Sequence, residues 1–173
     1  MRQHRWISAV LAFGIAAATT QAQPSPQLVA TAARDAVYVS FDLQPQTRTD
    51  LEERLSKRAP TVVIWLVELK RKALLRDRSI VPGVIRVSAQ RIDDSDTFSV
   101  SRSVNGVLTE SGVRMDRQGA FTWLTCFPPV PLFEQFQLDD HAPHRLTISA
   151  ILDGGEAPRV VTSTLARADL QWR

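Results

Sequence analysis

The sequence predicts a mainly β protein: an antiparallel β-sandwich, or a curved sheet, with two short covering helices. Three observations carry that expectation. Several segments alternate apolar and polar residues with period two, Asn105-Gly106 separates two of them, and only two segments show helical spacing. Alternation marks a strand with one dry face. Hairpin-linked strands with isolated helices indicate antiparallel packing rather than alternating βαβ units.

The first 22 residues have the order of an export signal. Arg2 and Arg5 precede the apolar run Trp6–Ala18, and Thr20 and Ala22 are small residues that suit cleavage before Gln23. The alternative is an uncleaved anchor. A spanning helix needs about 20 apolar residues, whereas this run ends in Thr19, Thr20 and Gln21. No cysteine near the cut supplies a lipid attachment point. The expected organisation is a signal peptide over 1–22, a leader with a first edge strand over 23–35, and a single β-rich domain over 36–173, periplasmic or secreted.

Charge is recounted without the signal. The 173-residue chain has 21 basic and 18 acidic residues. Removing Arg2 and Arg5 leaves 19 against 18, a net charge of +1. The pI of about 9.6 then reflects an arginine excess and says little about partners. The densest basic run, Leu69–Arg78, is broken by apolar residues and Asp77 and lacks the aromatic interleaving of a nucleic-acid surface. Cys126 is the only cysteine, so no internal disulfide can form and the fold must rest on its core. A domain of about 150 residues buries roughly 70% of its unfolded surface, which is enough.

The elements follow in order. A first strand is expected over 28–33. Over 36–43, Val37, Val39, Phe41 and Leu43 share one face. Thr49 with Glu52 forms a capping box, Leu51 and Leu55 make an apolar stripe, and Pro60 stops this helix near Ala59. The segment from Pro60 to Lys72 is apolar on both faces for half its length, as expected of a central strand with sheet on one side and the helix on the other. Residues 84–92 read as a strand, 93–96 as a turn, and 97–104 as a strand with Phe98, Val100 and Val104 on its dry face. Asn105-Gly106 suits a type I′ turn. It sets Val104 opposite Val107 and Phe98 opposite Val113. Asp116 caps a short helix to Phe127, and 128–143 is an irregular proline-rich connection. Residues 145–152 are a strand with Leu146, Ile148, Ala150 and Leu152 inward, and the last strand or pair covers 158–172.

No catalytic constellation emerges. His141 and His144 stand in a polar loop with Asp139 and Asp140. Imidazole with carboxylate suits a transition metal, but no further His or Cys completes the set, and a solvated loop accounts for them. Asp93, Asp94 and Asp96 have the look of a calcium loop without its glycine and distal glutamate; aspartates in a turn account for them. Cys126 has apolar neighbours, so it reads as a small buried hydrophobe rather than a reactive thiol. Ser99, Ser101 and Ser103 line a wet face outside any nucleophile elbow. No cofactor or metal is expected. Val130, Leu132, Phe133 and Phe136 are the candidate partner surface, a lip on the proline-rich connection; the competing reading is a plug that closes the open end of the core.

The order of these segments resembles the DUF4390 family of small exported bacterial proteins over roughly 36–152. The similarity lies in the VSFDL strand, the LEERLSKR helix, the long PTVVIWLVELKR strand, the RKALLRD segment ending in Asp77, the Ser/Val strand with Asn-Gly, and RLTISAIL. The chain has Leu74 and Leu75 where the family has a tryptophan-rich step, and Phe98 where it has a tyrosine. Genes of that family often lie beside a membrane sensor kinase, so the resemblance implies a periplasmic accessory to signalling. It carries no catalytic residue.

The leading expectation is therefore an exported, non-catalytic domain that binds a protein partner in the cell envelope. The alternative is a small-ligand or lipid carrier with Trp65, Phe41 and Phe133 lining a cavity. A hydrolase using His141 or His144 comes last.

Overall fold

The computed structural model describes residues 27–33, 35–42, 48–74, 76–92, 95–134, 138, 142–153 and 159–172. The expected signal over 1–22, and Leu43, Asp93, Asp94, Phe136, Asp139, Asp140 and His141, lie outside them. The described chain runs β1 (Gln27–Ala32), β2 (Ala36–Asp42), α1 (Arg48–Leu55), β3 (Thr61–Arg71), β4 (Arg78–Arg91), β5 (Thr97–Val104), β6 (Val107–Asp116), α2 (Arg117–Thr125), β7 (Cys126–Glu134), β8 (His144–Asp153), β9 (Arg159–Asp169) and β10 (Gln171–Trp172). Strands make two sheets, ordered β10-β1-β2-β7 and β6-β5-β4-β3-β8-β9. Only the β1–β10 pair is parallel. The expected sandwich with two short helices is the architecture found.

The alternation does the folding work that the sequence expects of it. Val37, Val39 and Phe41 of β2, Val63, Trp65, Val67 and Leu69 of β3, and Leu146, Ile148, Ala150 and Leu152 of β8 are all buried in one cluster. Phe41 meets Trp65 edge-on across the two sheets, with ring centroids 5.1 Å apart, and Phe127 lies 5.9 Å from Phe41 and 6.4 Å from Trp65. Such aromatic pairs contribute about 0.5–1.5 kcal/mol beyond area burial.

The β3 strand is central, between β4 and β8. The helix, however, is on the same side as the opposite sheet: Leu51 and Leu55 join the cluster of Val63 and Trp65, while Ile64 and Leu66 stay half-buried on the outer face. The α1 helix also ends at Leu55, short of Ala59. The Glu52 carbonyl there accepts from Ser56 Oγ at 2.9 Å and from the Arg117 guanidinium at 3.0 Å, which closes the last turn before Pro60 is reached.

Three further expectations are corrected. The described part of 23–35 is an edge strand only in part: β1 pairs with β2 along its length, and the two-residue β10 covers its other side at Thr31 and Ala32. The irregular connection after α2 begins with a strand, β7, despite Pro128, Pro129 and Pro131. It pairs only with β2, so it is an edge, where a residue without an N–H is tolerated. The hairpin turn is correct, with Asn105 and Gly106 at φ 48° and 84° and Val104 opposite Val107. Two bulges then shift the register, so Phe98 faces Met115 and Val113 faces Val100.

Two contacts lock β7 onto the larger sheet. Leu132 fills the space above Gly83 of β4; a Cβ at that glycine would lie 2.6 Å from Leu132 Cγ. Asn105 donates from Nδ2 to the Leu132 carbonyl at 2.8 Å and accepts at Oδ1 from the Val84 N–H at 2.9 Å. Gly83→Ala is expected to destabilise by about 1–3 kcal/mol through overpacking, and by less in a Leu132→Ala background, where the obstructing side chain is gone. Urea unfolding of both singles and the double checks this. Asn105→Gly keeps the turn and loses both side-chain bonds; the same measurement should show a cost of about 1–3 kcal/mol.

Candidate functional site

Six strands facing four leave one flank uncovered. On the opposite flank β1 packs beside β9, and the chain passes from β9 into β10 of the smaller sheet. Leu132 of β7 rests on Gly83 of β4, so β5 and β6 project past the edge of the smaller sheet. The α2 helix carries the chain across this flank from β6 to β7 and buries Ala120, Phe121 and Leu124 against the core. Its cap is the expected one: Asp116 accepts from the Gly119 N–H at 2.7 Å.

The projecting strand β6 is exposed along almost its whole length. Val107, Leu108 and Val113 are 67%, 62% and 41% exposed, although each is apolar. Alternation fails to bury a face here because, among the described residues, no second layer lies above it.

Two cavities open along this flank between β6 and β7. One, of about 450 Å³, lies by the hairpin turn and is bounded by Val104, Val107, Leu132 and Phe133. The other, of about 480 Å³, lies by α2, with Arg102, Met115, Trp123, Cys126, Phe127 and Pro128 among its walls. Glu110 borders both.

Arg102 is the unusual residue. It occupies the dry face of β5 between Val100 and Val104 and is 3% exposed. Its guanidinium lies 4.0 Å from the Trp123 ring centroid, a stacked cation–π geometry. One terminal nitrogen donates to Glu110 Oε1 at 2.9 Å, and buried Nε has no hydrogen-bond partner. Burial lowers the guanidinium from its ordinary value, and the Glu110 carboxylate opposes that shift. Trp123 is itself held by its indole N–H, which donates to the Ser101 carbonyl at 3.1 Å. The sequence signal for Arg102 was present: it is a charge at an inward position of an otherwise apolar alternation.

The residues expected as a partner lip are elsewhere. Val130, Leu132 and Phe133 are 8%, 3% and 4% exposed and belong to the core cluster, so they are not an exposed lip. The plug reading describes them, because β7 turns them inward. Trp65 and Phe41 are sealed in the core rather than lining a cavity; Phe133 does border the cavity near the turn. His144 is not in a solvated loop. It starts β8, is 2% exposed, and its ring faces Trp172 with centroids 6.5 Å apart. Cys126 is half-buried, not a buried hydrophobe, and its thiol donates to Asp42 Oδ1 at 3.0 Å. A carboxylate neighbour is the opposite of the electropositive setting that a reactive thiolate needs. Asp96 is exposed, and the turn before it is closed by Arg91 and Ser95. The serine face is a cross-strand ladder, with Ser88 and Ser101 hydroxyls 2.6 Å apart. Among the described residues no group of three His, Cys, Asp or Glu side chains is placed to hold a metal ion, and no helix is long and apolar enough to cross a membrane.

A polar cluster stands at the other end of β3. Asp169 accepts from Lys72 at 3.0 Å and from Arg145 Nε at 3.1 Å, and Arg145 also reaches Asp77 at 3.5 Å. Asp77 thereby ties the β3–β4 connection to β8. Compared with known proteins, the chain matches no family model, no curated sequence and no solved structure.

Two measurements test these assignments. Arg102→Met replaces a buried ion by a chain of similar length; stability should change by less than about 1.5 kcal/mol in urea unfolding, with the Trp123 emission altered. Hydrogen bonds from Lys72 and then Arg145 hold Asp169 below the usual carboxylate range. A depressed native value stabilises the fold above about pH 4, and that contribution fades as pH falls through the native value. Asp169→Asn should lower the urea midpoint at pH 7 and match the wild type at pH 2.

Proposed function

We propose that this protein is an exported, non-catalytic binding domain of the cell envelope, and that it recognises a protein partner through the free edge of β6. The observation that carries the reading is that edge: apolar Val107, Leu108 and Val113 exposed on a strand that pairs, among the described residues, with β5 alone. A free strand edge presents unsatisfied N–H and C=O groups that an extended segment can pair with, while side-chain contacts supply specificity. The occupant is an extended apolar segment of the partner, added as a seventh strand to the larger sheet. The two bulges against β5 twist the edge and restrict which segments fit, a device that limits indiscriminate pairing.

The order of charge, apolar run and small residues at 1–22 supports export to the periplasm or beyond. The resemblance to DUF4390 proteins supports the external region of a sensor kinase as the partner. The burial of His144 and the carboxylate neighbour of the Cys126 thiol support a binding role over catalysis.

Crosslinking and pull-down from envelope extracts test the reading with wild type beside Val107→Glu/Leu108→Glu. Both positions are exposed, so the variant should fold. Placing charges in the paired edge should cut recovery of a specific partner roughly tenfold or more. Equal recovery by the two proteins, or none above background with wild type, counts against it.

A further inference from the structure

We infer that the cavity between α2, β5 and β7 is a binding site for a fatty acid, with Arg102, held in place by stacking on Trp123, receiving the carboxylate and Glu110 acting as the group that the ligand displaces. The chemistry of the walls points to this class. Met115, Trp123, Phe127 and Pro128 give apolar and aromatic surface, and the only cation among the wall residues is the Arg102 guanidinium. A volume of about 480 Å³ lies within the range of small-molecule sites, which pair apolar walls with a few placed polar groups.

A buried guanidinium is expensive unless its donors are satisfied. Arg102 is 3% exposed, and among the described residues its carboxylate contact, to Glu110, uses one of the two terminal nitrogens. Arginine favours bidentate pairing with a planar carboxylate. Glu110 supplies half of that from an edge strand, with its own side chain 43% exposed. It can turn into solvent without leaving an uncovered charge. A ligand carboxylate that takes its place completes the fork and keeps the site electrically balanced, because the expelled Glu110 is then hydrated. The alkyl chain lies along Met115, Phe127 and Pro128. Cys126, at the rim, contributes a small polarisable wall and no chemistry. Glu110 and Met115 of β6 border the cavity, and laurate binding by the purified protein alone is read without any partner on the outward edge of that strand.

The test is titration of the purified protein, followed by tryptophan fluorescence and calorimetry, with laurate below its micellar range. Dodecanol is the uncharged control of equal length, and an apolar peptide with a free C-terminal carboxylate is the competing class. Laurate should bind saturably at one site. Affinity should rise about fourfold per methylene from octanoate to laurate, and dodecanol should bind at least about tenfold more weakly. Glu110→Gln, a change at a half-exposed side chain, should tighten laurate by about threefold or more, because the internal competitor loses its charge. Arg102→Met should erase the preference for laurate over dodecanol while dodecanol still binds. Equal affinity for laurate and dodecanol in the wild type overturns the inference. So do weaker laurate binding by Glu110→Gln, no saturable binding of laurate, and binding of the peptide in preference to laurate.

Discussion

The contact between the two sheets through Phe41, Trp65 and Phe127 is the constraint from which the remaining structure follows. With no disulfide available to a chain holding one cysteine, the layers are joined by hydrocarbon packing and little else. Each aromatic comes from a different strand, and two of those strands lie in the smaller sheet. Leu132 seated on Gly83 fixes how far that sheet reaches across its partner. The indole N–H of Trp65 is buried without a hydrogen-bond partner, so the ring is retained at a cost of about 1–3 kcal/mol for its packing.

The unequal strand counts then decide where function can reside. A six-stranded layer under a four-stranded one must leave surface uncovered, and the closure of β1 against β9 puts it at the β5–β6 side. The α2 helix covers part of it and stops short of filling the space, which creates the cavity beside Arg102. The exposed edge and the enclosed charge are therefore two results of one mismatch. Asn105 secures the same region from the other end, since its single amide joins the hairpin turn to β4 and β7.

Much of the scaffold is written locally. Period two in β2, β3, β5 and β8 fixes which side chains are inward, and Asn105-Gly106 fixes its turn, because these depend on neighbours one to four residues away. What local pattern does not encode is the second layer. Val107, Leu108 and Val113 look like core residues in sequence and are exposed because none of the described residues forms a layer above β6. Pro128, Pro129 and Pro131 look like loop residues and form a strand because β7 needs hydrogen bonds on one side only. Register past the turn was lost to two bulges, one of them near Gly112 at φ 69°. The inward position of Arg102 was legible from spacing alone; its stacking on Trp123 was not, since Trp123 lies 21 positions further on, in α2, beyond the whole of β6.

The short parallel ladder between β1 and β10 has a kinetic consequence. Thr31 and Ala32 pair with Gln171 and Trp172, so nearly the whole described chain separates the two partners. In folding, this part of the outer margin of the smaller sheet must wait for residues about 140 positions further along the chain. Until then Thr31 and Ala32 offer an open ladder to any passing strand, and contacts this distant in sequence form slowly. Thr31 and Ala32 are thus open to mispairing until β10 docks, and a chaperone that shields them for that period protects the step on which this closure depends.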